Sequence, residues 1–287
     1  MDKLDIAIKR LRSASDMSLY LYKKPLLLKY SGGKDSDACL EIARISGIPF
    51  EVQHSHTTAD APETVLHVRQ KFRQLELDGT HCEINYPVYK GKRTSMWELI
   101  PQQLMPPTRI ARYCCKIIKE TAGRDRWIIT GVRWAESTQR KNRGIYETIG
   151  PLKKRVILSN DNDDLRRVTE ACASQNTRTI NPIIDWRDQD VWDFLADRKV
   201  ACNLLYGAFC RVGCIGCPMA GTKGREIEFL RWPKYKKLYL CAFERMLKER
   251  SARGKQTYGW GSAMDVYNWW MEYDVLPGQI DLLEEEL

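Results

Sequence analysis

Six consecutive residues, Ser31-Gly32-Gly33-Lys34-Asp35-Ser36, have the composition of an anion site. Two adjacent glycines let backbone N–H groups curl around a phosphate with no Cβ in the way. The loop stands between an apolar run and a helical pattern, so the helix beginning near Ser36 points its positive end at the same spot. It is not a Walker A loop: residue 28 is Leu where a glycine is needed, and Asp35 follows the lysine. Nor does it carry the Gly-x-Gly-x-x-Gly spacing of a dinucleotide fold.

Cys114-Cys115 and Cys214-x-x-Cys217 form two pairs of soft ligands, far apart in sequence, that can close one tetrahedral set of thiolates. Three readings fit the spacing. A [4Fe–4S] cluster takes four thiolates. Structural zinc takes Cys-x2–4-Cys pairs, for which an adjacent pair is awkward because neighbouring side chains point apart. Free buried thiols are the third. Cys210 adds a variant, since Cys210-x3-Cys214-x2-Cys217 could hold three irons of a cluster and leave one open. That spacing also occurs in radical S-adenosylmethionine enzymes, but too little chain follows it here and the glycine loop would go unexplained. Cys39, Cys82, Cys172, Cys202 and Cys241 read mostly as core residues.

These groups need a scaffold. Residues 25–30 read as a buried strand, 36–46 as a helix stopped by Gly47, 50–54 as a strand, and 62–76 as a helix with Pro62 in its first turn. Further strands are expected at 84–86, 127–132 and 180–184, and helices at 95–104, 110–121, 163–173 and 188–196. Such alternation predicts an α/β fold with a parallel sheet covered by helices on both faces. Past residue 224, Tyr235, Leu238, Tyr239, Ala242, Met246 and Leu247 recur at helical spacing, predicting a helix over 234–250 and another over 262–273. The expected division is an α/β domain over 1–222 that carries the cysteines and a helical C-terminal region over 223–287.

The 287 residues carry a formal charge of +9, with 43% hydrophobic residues, which excludes a disordered or fibrous chain. No apolar stretch approaches a membrane span, and Met1 to Arg12 has no signal-peptide core. A cytoplasmic protein, whose ten cysteines are thiols or metal ligands, is expected. Lys223 to Lys255 holds eleven Lys/Arg against four Asp/Glu, followed by Tyr258, Trp260, Tyr267, Trp269, Trp270 and Tyr273. Two readings stand for this end: a grip on DNA or RNA phosphates and bases, or the aromatic core of a helical cap. For the first, Lys234, Lys236, Lys237, Lys248 and Arg250 are expected to face solvent, opposite a stripe of Leu238, Ala242 and Met246.

The loop SGGKDS resembles the pyrophosphate loop of the adenine-nucleotide α-hydrolase superfamily, and more of the chain is similar to its phosphoadenylyl-sulfate (PAPS) reductase family. His56-Thr-Thr-Ala-Asp-Ala-Pro-Glu-Thr64 is similar to the family's segment after strand two. Thr130-Gly-Val-Arg-Trp-Ala-Glu-Ser-Thr-Gln-Arg140 resembles its Gly-Ile-Arg…Glu-Ser…Arg segment. Asn181-Pro-Ile-Ile-Asp-Trp186 with Asp190-Val-Trp192 resembles its Asn-Pro-Leu-x-x-Trp…Asp-Val-Trp stretch. The matches keep the family's order and cover about residues 25–220.

The resemblance implies a twisted parallel sheet flanked by helices, extended here by the helical C-terminus. It implies that Ser31, Gly32, Gly33, Asp35 and Ser36 line the phosphates of ATP or an adenylyl nucleotide, with Lys34 adding charge. Arg133 and Arg140 would reach those phosphates or a sulfate, and Lys34, Asp35 and Arg133 are the catalytic candidates, with Mg²⁺ as a further cofactor. His54 and His56 end a strand at the sheet's ligand-binding edge, each either structural or in contact with substrate. Bacterial adenylyl-sulfate reductases of the family carry a [4Fe–4S] cluster on a tandem Cys-Cys and a distant Cys-x-x-Cys. That assigns Cys114, Cys115, Cys214 and Cys217 as ligands, with Lys116 and Lys119 offsetting the charge. The family's reductases also carry a nucleophilic cysteine in Glu-Cys-Gly-x-His, which this sequence lacks; Cys241 lies mid-helix, where a buried thiol would be a poor nucleophile. Cluster-bearing members without that motif include ATP pyrophosphatases of DNA phosphorothioation, and more distant relatives thiolate tRNA. The leading expectation is therefore ATP-driven adenylation coupled to sulfur transfer, with nucleic acid as one acceptor class. Reduction of adenylyl sulfate or phosphoadenylyl sulfate is the alternative, and a non-catalytic nucleotide-binding module is the third.

Overall fold

A computed structural model describes residues 2–119, 126–149, 155–158 and 177–273. Along the chain run α1 (Lys3–Tyr22), β1 (Leu26–Lys29), α2 (Lys34–Ser46), β2 (Phe50–Ser55), α3 (Pro62–Leu77), β3 (Cys82–Asn85), β4 (Val88–Tyr89), β5 (Lys92–Arg93) and α4 (Met96–Gln103). A π-helical turn (Cys115–Lys119) follows, then β6 (Trp127–Ile129), β7 (Tyr146–Ile149), β8 (Arg155–Leu158), β9 (Thr177–Ile180), α5 (Asp188–Asp197), α6 (Gly221–Arg231), α7 (Pro233–Ala252) and α8 (Ala263–Trp270). Among the described residues no helix is long and apolar enough to cross a membrane.

The chain forms two compact units, and neither is contiguous. Met1–Ser55, Pro62–Asn85 and Ala122–Val212 make the first; His56–Ala61, Tyr86–Thr121 and Gly213–Leu287 make the second. This differs from the expected split at 222/223. The segment 213–222 and both cysteine pairs belong to the second unit, with two loops that leave the α/β unit and return to it.

The first unit is built on a seven-stranded sheet of order β3-β2-β1-β6-β9-β7-β8. β3, β2, β1, β6 and β9 are parallel, β7 runs antiparallel to β9, and β8 pairs antiparallel with β7. The run Leu26-Leu27-Leu28 is buried on both faces, as a central parallel strand requires. The chain winds outward from β1 through β2 to β3, then returns to lay β6 on the other side of β1. The carboxyl end of β1 is therefore a switch point, where open α/β sheets bind ligands. α1 packs Ala7, Leu11 and Ala14 inward, and its buried Arg10 meets Asp185 at 2.9 and 3.0 Å.

Several expected elements are shorter or different. The strand expected at 127–132 stops at Ile129, and the one expected at 180–184 is replaced by Thr177–Ile180 and a turn. Pro182 is the cause: it has no N–H to continue a ladder. Of the helix expected at 110–121, residues 113–114 are helical and Cys115–Lys119 take π geometry, while 120–121 lie outside the described residues. The helix expected at 163–173 lies outside the described residues, as does Cys172.

In the second unit, α4, α7 and α8 enclose an aromatic core. Tyr239 packs on Trp270 at 4.6 Å and on Trp97 at 4.9 Å between centroids, and Phe243 on Trp270 at 5.4 Å. Trp260, Tyr267 and Trp270 are buried, so these three make the core of a helical cap; Tyr258 and Tyr273 are exposed. The stripe on α7 is Tyr239, Ala242, Phe243, Met246 and Arg250, and Leu238 points outward, one position from where the spacing put it.

Candidate nucleotide loop and cysteine centre

In the first unit, β1 delivers the chain into residues 31–36 and α2 carries it away. Gly33 caps α2 in extended conformation at φ −102°. The Ser36 hydroxyl accepts from Gly33 N–H at 3.1 Å and donates to Gly33 O at 2.7 Å, and Ser31 donates to Ser36 at 3.2 Å. The glycine that the backbone demands is Gly32, at φ +76°. A Cβ there would stand 3.0 Å from Val68 and 3.1 Å from Thr64. Asn203 donates to Gly32 O and to Thr64 Oγ1, both at 3.1 Å, and so pins the loop to α3. Below it, Tyr30 donates to Asp37 at 2.5 Å beside His67, at 2.9 Å from the same hydroxyl.

Two of the expected catalytic groups, Lys34 and Arg133, are nearly inaccessible, at 8% and 2% side-chain exposure. Arg133 donates through Nε to Asp35 at 2.6 Å and through Nη2 to Asp188 Oδ1 at 2.7 Å. Lys34 Nζ lies 3.2 Å from Asp35 and 3.0 Å from Asp188 Oδ1. Two cations and two carboxylates thus close a ring beside the loop. Partial burial works to raise the pKa of Asp188, but hydrogen bonds from Lys34 and Arg133 outweigh it and hold its carboxyl below the usual range. Gly131, which precedes the arginine motif, backs directly onto Asp35: a Cβ on it would meet the Asp35 carbonyl at 2.9 Å. Arg140 is different. It is partly exposed, pairs with Glu136 and joins none of these contacts. His54 is buried, with Nδ1 2.9 Å from Tyr30 O.

Asp188, Tyr206 and Asn203 were not singled out by the sequence. Tyr206 accepts from Lys34 N–H at 2.9 Å and sits edge-on to Trp192. Asp188 lies between Trp186 and the Asp190-Val-Trp192 motif, so its place in that motif was the available signal. Asp190 itself faces Lys3 and Arg187.

The second unit holds both cysteine pairs. Cys114 and Cys115 enter the π turn with their thiols hydrogen-bonded to each other. Arg112 donates to Cys115 Sγ at 3.4 Å. Cys214 is buried and meets Thr57 Oγ1 at 3.4 Å. An isolated antiparallel bridge between Asp60 and Cys214, with Ile215 N–H donating to Ala59 O at 2.8 Å, fixes this turn to residues 57–60. Gly216 stands at φ +71°, where a Cβ would lie 2.7 Å from Tyr239 and 2.8 Å from Phe229. Tyr239 donates to Ile215 O at 2.9 Å, so the Cys214–Cys217 turn is bolted to the aromatic core.

The four sulfurs act on one another electrostatically. The hydrogen bond from Cys114, aided by Lys119 and Arg112, pulls the Cys115 thiol down to about 5. Cys114 moves the other way: it keeps the shared proton, is partly buried and feels Cys115, Cys214 and Cys217. Cys214 is raised by burial, against the pull of Lys119. Lys119 is raised in turn, first by Cys214. Four thiols with cations among them suit a polyanionic thiolate set. With Arg112 and Lys119 beside them, the four are a donor set that suits a [4Fe–4S] cluster. Cys210 is exposed and Cys241, expected to be buried, is exposed as well.

The sequence profile of the phosphoadenosine phosphosulfate reductase domain matches residues 25–220. An uncharacterised protein of Methanocaldococcus jannaschii is 28% identical over 70% of this chain and 42% of its own length. The adenosine 5′-phosphosulfate reductase of Geobacillus kaustophilus is 21% identical over 59% of this chain and 61% of its own length. The chain spans less than two thirds of the length of these relatives. Among solved structures, the phosphoadenylyl-sulfate reductase of Candida auris in its phosphate complex superposes with a TM-score of 0.45 at 16% identity, over 72% of this chain and 87% of the other.

Proposed function

Because the chain belongs to the phosphoadenosine phosphosulfate reductase family, we propose that it is an ATP-using enzyme that adenylates an acceptor and supports sulfur transfer to it. The carrying observation is the loop at the switch point, where α2 starts on Gly33 and two shielded cations, Lys34 and Arg133, stand beside it. In this reading the β- and γ-phosphates lie on residues 31–36. The acceptor oxygen attacks the α-phosphorus, the bond to the bridging oxygen breaks, and pyrophosphate leaves. Lys34 and Arg133 stabilise the charge that grows on the leaving oxygens. Asp35 is the carboxylate that would help hold Mg²⁺, which when bound would supply positive charge toward the leaving group. Sulfur then displaces AMP from the activated acceptor.

Cys114, Cys115, Cys214 and Cys217 are the residues that would hold a [4Fe–4S] cluster, which when bound supplies a site for sulfur or electrons. Lys119 and Arg112 would balance its charge. Nucleic acid is one acceptor class, supported by Lys234, Lys237 and Lys248, which are exposed on α7.

Reduction of a sulfonucleotide is the second reading. It is favoured by the kinship to adenosine 5′-phosphosulfate reductase and by the exposure of Cys241. Protein purified without oxygen separates the two. Pyrophosphate released from ATP, increased by the right acceptor, supports adenylation; sulfite released from adenylyl sulfate with a thiol reductant, and no pyrophosphate from ATP, would replace it.

A further inference from the structure

Beside the loop, the carboxylate of Asp188 does what a ligand phosphate would do. One oxygen, Oδ1, accepts from Arg133 Nη2 at 2.7 Å and lies 3.0 Å from Lys34 Nζ. The two cations are 2% and 8% exposed, so they need counter-charge whenever the loop is empty. Asp35 supplies one negative charge for two positives, and Asp188 supplies the other. Asp188 differs from Asp35 in its freedom. It is the first residue of α5 and its side chain is 64% exposed, against 23% for Asp35. Turning it out to water exposes no apolar core, provided another anion takes its place on Lys34 and Arg133. A phosphate on the loop would bring a second anion to the same two cations, and one of the two anions must leave.

Resting on the nucleotide-loop reading above, we propose that Asp188 is an internal stand-in for the ligand: it neutralises Lys34 and Arg133 in the free protein and is displaced when a polyphosphate binds. Tyr206 does the same for the backbone, its hydroxyl accepting the Lys34 N–H that a phosphate oxygen would take. Asp188 therefore sets affinity for the phosphate chain and leaves the nucleoside alone. Each polyphosphate that binds must first compete with this carboxylate.

Titration calorimetry with inorganic pyrophosphate, ATP and adenosine tests this on the whole chain and on Asp188→Asn. The amide keeps the shape and removes the charge, and the exposed site makes misfolding a small hazard. Pyrophosphate and ATP are expected to bind about two- to fivefold tighter to Asp188→Asn, the range spanned by one partly exposed ion pair, while adenosine is unchanged. Tyr206→Phe is expected to tighten pyrophosphate in the same direction by less. If Asp188→Asn binds pyrophosphate equally or more weakly while the unmodified chain binds it, Asp188 is no competitor and the loop reading stands. Equal changes for adenosine and pyrophosphate overturn the proposal in favour of a structural role. If neither chain binds pyrophosphate or ATP, the loop reading itself falls, and the proposal with it.

Discussion

Gly32 and Gly33 sit side by side yet answer to different constraints. Gly32 has φ +76° and no room toward Val68 and Thr64, whereas Gly33 is extended and a Cβ there meets the Tyr206 hydroxyl at 3.2 Å and Ser31 Oγ at an ordinary 3.5 Å. Gly32→Ala is therefore expected to lose ATP binding by more than tenfold and Gly33→Ala by much less, measured by calorimetry; the reverse order would place the phosphate elsewhere. Gly131→Ala is expected to weaken ATP too, because its methyl would press on the Asp35 backbone. Lys29 offers a test in pH. Burial lowers its pKa to about 8 from 10.5, against the pull of Glu83. Below pH 8 both folded and unfolded chains hold the proton, and the folded one bears the desolvation cost. Between about 8 and 10.5 the unfolded chain holds more protons, so stability contributed at this site rises with pH. Lys29→Met is expected to raise the melting temperature most near pH 7, and the gain should shrink as pH approaches 10.5.

At the scale of elements, α7 separates two kinds of basic residue that spacing alone had grouped together. Lys234, Lys237 and Lys248 are exposed, and Lys236 lies 4.5 Å from the Tyr267 ring centre. Arg250 is buried, donates to the carbonyls of Leu104 and Gln256 and stacks on Tyr258 at 4.6 Å. Arg250→Ala is expected to cost roughly 1.5–3 kcal/mol of stability, read by denaturant unfolding, and not to act on nucleic acid specifically. Replacing the four lysines with Gln is expected to abolish salt-dependent affinity for RNA or DNA and to spare ATP binding; no such affinity in the parent chain would leave them a solvated face. The strands and helices around the loop were legible because their apolar runs and glycine stops are local. β7 was not, because Glu147 breaks its apolar run, and its buried carboxylate is held by partners that include Arg143 and the Gly144 N–H. α1 was not, because Arg10, Ser15 and Ser18 occupy its inner face. Within the site, glycine and cysteine spacing marked Ser31–Ser36 and the four thiols. Asp188 and Tyr206 enter through tertiary approach, which no spacing records.

Taken whole, the molecule keeps the glycine loop and the two cysteine pairs in separate compact units. Protein purified without oxygen is expected to hold about four irons per chain, with a broad visible absorption. Single Cys114→Ser, Cys115→Ser, Cys214→Ser and Cys217→Ser changes should each lower the iron content, and Cys210→Ser should not; stoichiometric zinc without iron would reverse the assignment. The second unit is also discontinuous in sequence, drawing on 56–61, 86–121 and 213–287. Its isolated bridge from Asp60 to Cys214 joins segments from distant parts of the chain. On the ribosome, the α/β unit has all its segments before Gly213 is made, while the thiol unit is still short of its largest piece. A cluster held by all four cysteines would be completed only after Cys217 is made. Until Cys214 and Cys217 are made, Cys114 and Cys115 stand as a tandem pair of thiols without the second pair, a state open to oxidation.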